Sequence, residues 1–596
     1  MVGYREIIVG IDFGTTSSGV GFYIPQNRNL YNIPDNGLHI LKYGFNGDDG
    51  LPAAKAPTIL AYAEENEDLS ETAWGFGARA YPSLVSWFKL FLEENIDVDN
   101  WCMRAKDWAN SRGIMRLPDG GTPIKPISDF LTFLYGALWG ALVSKARQEI
   151  GNIDDLSVKF CFTVPVLWSL QARHDMKVAI SRAGFNSRNQ DKVCLLTEAE
   201  AAMTFALSQS RIGDENSLLK TGDGVVICDC GGGATDIASY KVSNHDLFIY
   251  DELVQSGGKL CGSTSIDRDF YRLMQRRFGD SFSSLPAYDI SQTSKFMYEF
   301  EKAKCTFTGN ESFALPLAMT VSSSQLSKPR WYINGDVQLS KADLETLFRP
   351  ALQMIIESLR RHIERVNSAA GRTMVINKII LVGGFSLSPY FYRVLRDTFP
   401  NISIIRRDED VLTAVIRGAT LWGMGAFRPQ SMLSPYSYGL QALLPVNSSL
   451  DDSRIHLNGP TSNLAFFNGP INWIIRKGER YNRGVSLQYG CAISHVKGTF
   501  NIKMIPVYMS DKVDRPQSVD AVGGPDLRIA GYLEFNLAHV DFRRCRYFEQ
   551  NRQGIWVVEY TLLVEMGEAD GNFRLTAVCQ GGNQLAQWEV RPSLIV

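Results

Sequence analysis

The chain has 596 residues, of which 45% are apolar and 21% are charged. Its 61 basic and 63 acidic residues nearly cancel, and a net charge of −2 argues against a surface built for nucleic acid. The apolar content excludes a disordered chain, and at roughly 150 residues per domain this length predicts about four folded units.

The chain carries no pattern typical of export or of a membrane anchor. The N-terminal sequence MVGYREIIVGIDFG does not resemble a signal peptide. The longest apolar run, FLTFLYGALWGALV at 130–143, is too short to cross a bilayer and predicts a core helix. The ten cysteines form no CxxC pair, so we expect reduced thiols. We therefore expect a cytoplasmic protein, with the nucleus as the alternative, and neither nucleic-acid nor membrane partners.

The first informative segment is IIVGIDFGTTSSGVG at 7–21. A buried strand ends at Asp12 and is followed by Gly14 and two threonines, Thr15 and Thr16. A glycine-containing turn after a buried strand is typical of a site whose backbone N–H groups bind phosphate oxygens. A carboxylate at the end of the strand is suited to hydrated Mg²⁺.

The segment at 159–207 predicts an α/β layer. A strand ends at Pro165, a helix follows, and a second short strand ends just before Glu198. Two interpretations of Glu198 stay open at this point. It orients a metal-bound water at a cleft, or it is an acidic residue in the first turn of a helix.

The segment VVICDCGGGATDIASY at 225–240 repeats the pattern of the N-terminal segment. Asp229 ends an apolar strand, three glycines at 231–233 follow, and Asp236 lies in the next apolar stretch. Alone, this pattern also fits a glycine-rich hairpin turn. The repetition indicates an internal duplication, and two such turns facing each other would grip a phosphate chain in a cleft.

Two later segments have weaker patterns. In MYEFEKAKCTF at 297–307, Glu301, Lys302 and Lys304 fall on nearby turns of a helix, which is usually a solvated charged face. In NKIILVGGFSLSPYFYRVL at 377–395, Gly383 and Gly384 follow a buried strand and would let a flat ring approach the backbone. Beyond about residue 430, β-branched and alternating runs between Gly, Asn and Asp turns predict a β-sandwich.

Six motifs occur in a familiar order. They are IDFGTT at 11–16, FTVP at 162–165, LLTEAEAA at 195–202, CDCGGGATD at 228–236, FEKAK at 300–304 and LVGGFS at 381–386. Together they resemble the actin-like ATPase superfamily and, within it, the DnaK-type heat-shock protein 70 chaperones. The divergence is similar to that of the member-twelve branch of that family.

The resemblance implies an α/β fold with two duplicated, ribonuclease H-like lobes, followed by a β-sandwich without a helical lid. The implied domains are lobe I at 1–215, lobe II at 216–427, a linker at 428–440 and a substrate-binding-like β domain at 441–596. The implied function is slow, Mg²⁺-dependent hydrolysis of ATP to ADP, with extended polypeptide and co-chaperones as partners. Two alternatives stay open: a nucleotide-binding scaffold that hydrolyses poorly, and a sugar-kinase-like phosphotransferase.

The resemblance also assigns roles to residues. Asp12 and Asp229 would face Mg²⁺, while Lys89, Glu198 and Asp236 would act at the reacting phosphate and the attacking water. The residues expected to contact ATP or ADP are Gly14, Thr15, Thr16, Gly231, Gly232, Gly233, Thr235, Glu301, Lys302, Lys304, Gly383, Gly384 and Phe385.

Several positions depart from the family pattern. Ala234 stands where the family usually has threonine, with Thr235 one place later. Leu387 and Cys305 stand where the family has arginines near the adenine. The segment RPQSMLSPYSYG at 428–439 replaces the usual acidic, leucine-rich linker. Ala234, the changed linker and the absent lid favour the scaffold alternative, whereas Leu387 and Cys305 predict an altered nucleotide affinity.

Overall fold

The structure is a computed structural model in which most of the chain is described. The described residues are 6–25, 37–45, 52–81, 83–93, 117–118, 122–149, 156–209, 217–245, 247–321, 331–369, 375–425, 428–445, 466–512, 514–516, 522, 526–550, 553–566, 573–579 and 584–590. They fall into two compact units, Met1–Arg428 and Pro429–Val596. The predicted boundary between the lobes, at 215/216, lies outside the described residues.

The described part of the first half of unit 1 contains a main six-stranded sheet, two smaller sheets of two and three strands, and α-helices. Its strands are β1 (Glu6–Asp12), β2 (Ser17–Tyr23), β3 (Leu38–Ile40), β4 (Tyr43–Phe45), β5 (Pro52–Ala53), β6 (Ala56–Pro57), β7 (Ile59–Ala61), β8 (Ala73–Trp74), β9 (Val85–Ser86), β10 (Ser157–Val164) and β11 (Lys192–Thr197). Its helices are α1 (Ile124–Glu149), α2 (Leu170–Arg182) and α3 (Glu198–Ser208).

The main sheet of this half has the order β11-β10-β1-β2-β3. β1 and β2 form an antiparallel hairpin, whereas β10 and β11 run parallel to β1. The chain passes from β10 to β11 through α2, as a parallel connection requires. Six of the seven residues of β1 are buried, which explains its continuous apolar run.

The second half of unit 1 has a similar set of elements. Its strands are β12 (Gly224–Cys230), β13 (Thr235–Asn244), β14 (Ile249–Glu252), β15 (Gly257–Lys259), β16 (Phe313–Pro316), β17 (Tyr332–Ile333), β18 (Asp336–Leu339), β19 (Ile376–Val382) and β20 (Ser403–Ile405). Its helices are α4 (Ser263–Phe278), α5 (Asp280–Ser283), α6 (Ala287–Ile290), α7 (Lys295–Thr306), α8 (Lys341–Ala369), α9 (Pro389–Thr398) and α10 (Ala414–Gly423).

The second half repeats the topology of the first. The order β20-β19-β12-β13-β14 matches β11-β10-β1-β2-β3 strand for strand. β12 and β13 form the antiparallel hairpin, and β19 and β20 run parallel to β12 with α9 between them. The duplication that was predicted from two short motifs is therefore a duplication of whole lobes.

The position of helix α10 disagrees with the predicted division of the chain into lobes. It lies within 216–427, which was expected to form lobe II, but it packs on α3 and on β1, β2 and β10 of lobe I. This close packing requires glycine at two positions. A Cβ at Gly418 would lie 1.8 Å from the carbonyl oxygen of Ala201, and one at Gly10 would lie 2.5 Å from the backbone nitrogen of Thr420. The lobes are therefore not contiguous in sequence.

Helix α1 is longer than the apolar run that predicted it. Its 26 residues make it long and apolar enough to cross a membrane by those two criteria alone, which is weak evidence for a span. One face of the helix, including Phe130, Leu134 and Leu138, belongs to the core of lobe I. The expectation of a helix that contributes to a core is confirmed, while its predicted extent was too short.

Unit 2 is built from antiparallel strands. These are β21 (Arg428–Leu433), β22 (Ser437–Pro445), β23 (Phe466–Ile475), β24 (Arg480–Asn482), β25 (Ser486–Val496), β26 (Ile502–Ser510), β27 (Arg528–Asn536), β28 (Arg546–Gln550), β29 (Gln553–Met566), β30 (Phe573–Cys579) and β31 (Gln584–Val590). One sheet has the order β23-β22-β26-β27, and the other is β25-β29-β30-β31 with β28 paired to β29.

The two sheets of unit 2 contact each other through alternate side chains. Leu533 and Phe535 of β27 are buried, and the Phe535 ring meets the Tyr560 ring of β29 at 5.0 Å. Tyr532 and Glu534, on the opposite face of β27, are exposed. Most of the segment at 428–440, predicted to be a linker, lies in β21 and β22.

Candidate functional site

The first glycine loop connects β1 to β2 within lobe I. Asp12 is the last residue of β1, and the N–H of Gly14 donates to the Ser18 hydroxyl at 3.2 Å. A Cβ at Gly14 would lie 2.3 Å from the carbonyl oxygen of Ser17, so the turn requires glycine at this position. The loop is thus held tightly between two buried strands.

The second glycine loop connects β12 to β13 in the equivalent place of lobe II. Its carbonyl groups face helix α4: the N–H groups of Ser263 and Thr264 donate to the carbonyl oxygens of Gly231 and Gly232 at 3.1 and 2.9 Å. In a planar trans peptide the N–H points opposite to the carbonyl. The N–H groups of Gly232 and Gly233 therefore point away from α4 and are available to an anion.

The two loops face each other at short range. A Cβ at Gly232 would lie 2.5 Å from Cγ2 of Thr16, and one at Gly233 would lie 2.6 Å from the hydroxyl of Thr15. Glycines are required here because the opposite loop fills the space of a side chain. The hypothesis of a turn without function becomes weaker, since two equivalent turns meet in one cleft.

A cavity of about 290 Å³ lies between the loops. Most of the predicted site residues line it: Asp12, Gly14, Thr15, Thr16, Lys89, Glu198, Gly231, Gly232, Gly233, Glu301, Lys304, Gly383, Gly384 and Phe385. Four predicted residues do not belong to the lining, namely Asp229, Thr235, Asp236 and Lys302. Lining residues that the sequence did not predict include Lys55, Ser263, Ser388 and Leu412.

Lys89 and Glu198 meet as an ion pair. The ammonium of Lys89 lies 2.9 Å from Oε1 of Glu198 and 5.3 Å from the centre of the Trp168 ring. Glu198 is the first residue of α3, whose N-cap Thr197 accepts a hydrogen bond from the N–H of Glu200. A capped helix start fixes the direction of the glutamate. The two interpretations of Glu198 are therefore compatible, because it starts a helix and also lines the cavity.

Asp236 has one carboxylate oxygen without a partner among the described residues. Its Oδ2 accepts a hydrogen bond from the N–H of Val166 at 2.9 Å, whereas its buried Oδ1 accepts none. Burial and the nearby charge of Glu198 raise the pKa of Asp236 to about 8. A buried acceptor left open costs free energy unless a ligand or water satisfies it.

Asp229 is the penultimate residue of β12, two positions before the first glycine of the second loop. Burial and the charges of Glu198 and Asp12 raise the pKa of Asp229 well above its ordinary value. The turn after β19 packs closely against Asp229. A Cβ at Gly383, which has φ +82, would lie only 2.4 Å from Oδ1 of Asp229. The carboxyl groups of this cleft raise the pKa values of Asp229 and Asp236, and a bound cation would relieve that repulsion.

Lys55 is the principal residue that the sequence did not predict. Its ammonium lies 2.5 Å from Oδ2 of Asp12. Burial acts to lower the pKa of Lys55, but the charge and hydrogen bond of Asp12 outweigh it, and the pKa is raised. No motif marked this lysine, which stands alone between two short strands and is separated from Asp12 by more than forty residues.

The charged residues of α7 have different environments. Lys304 is buried and pairs with Asp267 at 2.6 Å and with Glu301 at 2.5 Å. Lys302 is half exposed and lies over the Tyr298 ring. The solvated-face hypothesis therefore describes Lys302, but it is wrong for Lys304.

Thr235 and the turn after β19 also differ from the predicted roles. The Thr235 hydroxyl donates to the carbonyl oxygen of Cys261 at 2.7 Å and is buried, so only Ala234 of this pair faces the cavity. Cys305 and Leu387 line the cavity, and none of its described lining residues is an arginine. The prediction that Thr235 contacts nucleotide is not supported by its position.

The residues present fit a metal–polyphosphate ligand. The paired glycine loops, Asp12 and Glu198 line one cavity, and Asp229 and Asp236, which keeps an oxygen without a partner in the described part of the chain, are buried near these lining carboxylates. Among the described residues, no group of three or more His, Cys, Asp and Glu side chains forms a cage for a metal. Two duplicated α/β lobes with such a cleft define a two-lobed, actin-like nucleotide-binding protein.

Comparisons with known proteins identify the family. The chain belongs to the Hsp70 family, because the family model described as Hsp70 protein matches residues 137–445, more than half of the chain. The predicted resemblance, including the divergent member-twelve branch, is confirmed. Members of this family bind ATP or ADP, in general with Mg²⁺, and this chain is an ATP-binding, Hsp70-like protein.

Individual relatives are distant in sequence. Heat shock 70 kDa protein 12A of Mus musculus is 22% identical over 515 residues, which cover 73% of this chain and 72% of the relative. Heat shock 70 kDa protein 12B of Homo sapiens is 22% identical over 521 residues, or 74% and 71% of the two chains. Chaperone protein HscA homolog of Laribacter hongkongensis is 23% identical over 473 residues, or 76% and 65%.

Proposed function

We propose that the protein is a slow, Mg²⁺-dependent ATPase that uses its nucleotide state to control the binding of extended polypeptide. The observation that carries the ATPase proposal is the open, buried Oδ1 of Asp236 beside the Lys89–Glu198 pair. Lys89 and Glu198 line the cavity between the two phosphate-binding loops, and Asp236 is buried close enough for both charges to act on it. Groups of this kind, held in position, are what in-line attack of water on a terminal phosphate requires.

The chain's own residues would act by position and charge. The loop N–H groups and the hydroxyls of Thr15 and Thr16 would orient the phosphates. Lys89 would offset the charge of the terminal phosphate, and Glu198 and Asp236 would orient the attacking water and hold its proton. A bound Mg²⁺ would supply further neutralisation of phosphate charge, with Asp12 and Asp229 facing its hydration shell.

Unit 2 supports the polypeptide-binding part of the proposal. Ile502, Met504 and Tyr532 are each about half exposed, on one face of the paired strands β26 and β27. Neighbouring exposed apolar side chains on a sheet are a typical docking surface for an extended chain. Unit 2 would then correspond to the family's peptide-binding β domain, and co-chaperones would be the further partners.

A second candidate function is a nucleotide-binding scaffold with little hydrolysis. It is favoured by Ala234, which offers no hydroxyl to the cavity, and by the hydroxyl of Thr235, which is already bound to Cys261. The sugar-kinase-like alternative receives no support from a C-terminal unit made of antiparallel strands.

A single-turnover ATPase measurement on the full chain tests the proposal. Trace ATP is mixed with excess protein and Mg²⁺, with and without an unfolded polypeptide, and nucleotide binding is recorded in parallel. We expect slow hydrolysis that the polypeptide accelerates. Tight binding without hydrolysis would favour the scaffold function, and absence of binding would refute both.

A further inference from the structure

Lys55 is fixed to the first glycine loop by the backbone that follows it. β6, which begins one residue later, pairs with the start of β2, and the N–H of Thr58 donates to the carbonyl oxygen of Thr16 at 2.9 Å. The hydroxyls of Ser18 and Thr58 also lie 2.8 Å apart. Because the segment is tied to the loop at several points, the lysine keeps its place relative to the phosphate-binding turn.

The side chain of Lys55 extends over a glycine to reach the cleft. A Cβ at Gly19 would lie 3.0 Å from Cγ of Lys55, so the absence of a side chain at Gly19 makes room for the lysine stem. The Lys55 side chain is only 16% exposed, and its ammonium contacts Asp12. A long side chain kept in this way loses little further freedom when it binds a ligand.

Two of the lysines that line the cavity, Lys55 and Lys89, have different partners. Lys89 is paired with Glu198, which is itself predicted to act in the reaction. Lys55 is paired with Asp12, the carboxylate at the entrance to the first loop. Asp12 is also the carboxylate expected to face the hydration shell of Mg²⁺. Lys55 and the metal would therefore compete for Asp12.

We propose that Lys55 is a built-in cation of the phosphate site, which neutralises Asp12 in the nucleotide-free protein and contacts the phosphates of a bound nucleotide. This inference rests on the proposed nucleotide site. Its consequence is that the cleft binds nucleotide in the absence of divalent metal, and that Mg²⁺ adds less affinity than it would to a cleft without Lys55.

The test measures ADP affinity of the full chain by calorimetry, once with excess chelator and once with saturating Mg²⁺. Lys55→Met should weaken metal-free ADP binding about 10-fold, because a charge-assisted hydrogen bond to phosphate is lost. With saturating Mg²⁺ the loss of ADP affinity should be smaller than about 3-fold, because removal of Lys55 also frees Asp12 to interact with the metal. Lys55→Arg should keep most of the metal-free affinity.

Lys378→Met is the matched control. Lys378 is also 16% exposed, and it pairs with Asp223 at 2.7 Å, but it does not line the cavity. It should leave ADP affinity unchanged under both conditions. Thermal unfolding of all variants checks that they are folded.

Two results would overturn the inference: equal metal-free affinity of wild type and Lys55→Met, or an equal loss with and without Mg²⁺. If Lys55→Met does not fold because Asp12 is left unpaired, Asp12→Asn is compared with the double change Asp12→Asn and Lys55→Met. A weaker metal-free affinity of the double variant supports a contact with phosphate, and equal affinities contradict it. If wild type binds no ADP even with Mg²⁺, the proposed function itself fails.

Discussion

The carboxylates of Glu198 and Asp236 are held in different ways. Glu198 has a lysine partner and a fixed direction at the start of α3. Asp236 has one satisfied and one open oxygen, and its pKa is raised to about 8 by burial and by Glu198. A pKa near neutral pH is typical of a group that exchanges a proton during a reaction. Asp236 is therefore the member of the pair whose protonation is expected to change in the proposed reaction.

Glu198→Gln should separate binding from hydrolysis. The glutamine keeps the shape of the side chain but removes its charge, so ATP should still bind while single-turnover hydrolysis falls by about 10²-fold. Glu200→Gln is the control, because Glu200 lies in the same helical turn but accepts a hydrogen bond from Trp422 away from the cavity. Equal hydrolysis rates of wild type and Glu198→Gln would remove Glu198 from the mechanism.

Single residues were predictable where a motif surrounds them. The glycine loops, Asp12 and Glu198 follow buried strands in a repeated pattern, and they line one cavity. Lys55 was not predictable, since its role depends on a tertiary contact with Asp12 that no local spacing encodes. Thr235 is the opposite case. It lies in a motif that was identified correctly, but its hydroxyl donates to the backbone carbonyl of Cys261 instead of facing the cavity.

At the scale of elements, the crossing of α3 and α10 is unusually close. Gly418→Ala should lower the free energy of unfolding by about 3 kcal/mol or more, because the new methyl group would meet the Ala201 carbonyl within a packed interface. Gly136→Ala is the control: this glycine is exposed in α1 with nothing near its missing Cβ. It should stabilise by about 0.5–1 kcal/mol. Urea unfolding of both variants measures the two changes in the free energy of unfolding, which should have opposite signs.

Helix α8 is joined to β13 by a histidine that is neutral in the folded protein. Nε2 of His362 lies 2.9 Å from the Ser239 hydroxyl, and burial together with the charge of Arg365 lowers the pKa of His362 to about 4. The unfolded chain therefore binds a proton more readily between about pH 6.5 and pH 4. The contribution of His362 to stability is complete above that window and is lost as the pH falls through it.

His362→Gln should reduce this acid sensitivity. Glutamine can keep a hydrogen bond to Ser239 but has no proton to gain, so wild type should lose up to about 3 kcal/mol more than the variant on acidification through the window. Urea unfolding at about pH 7 and at about pH 4.5 measures the difference. Parallel pH dependence of the two proteins would show that His362 is not the sensing group.

At the scale of the whole molecule, the repeated order of strands made the two-lobed fold predictable. Each lobe places a strand–glycine–strand hairpin next to parallel strands, so one motif found twice was sufficient to predict both halves. The return of α10 to lobe I was not predictable, because Ala414–Gly423 follows lobe II without a break in pattern. Domain limits drawn along the sequence cannot represent a segment that packs on an earlier lobe.

The last prediction concerns the exposed apolar face of β26 and β27, which we call the β26–β27 strip and define as Ile502, Met504 and Tyr532. Met504 pairs with Glu534 and Pro506 with Tyr532, so these side chains are neighbours across the two strands. An extended peptide lying on the strip would bury two or three apolar side chains. Without further closure over it, we expect micromolar-class affinity, about −8 kcal/mol or weaker.

Fluorescence anisotropy of labelled hydrophobic peptides with the full chain tests the β26–β27 strip. The double change Ile502→Thr and Met504→Thr keeps strand-forming residues but removes apolar area, and it should weaken peptide binding about 10-fold. Val375→Thr alters another exposed apolar residue, 70% accessible in unit 1, and should have no effect. Binding that weakens when ATP is added would link the strip to the nucleotide cleft. Unchanged affinity in the double variant would assign the peptide to another surface, and absence of saturable binding well above micromolar concentrations would refute the polypeptide-binding proposal.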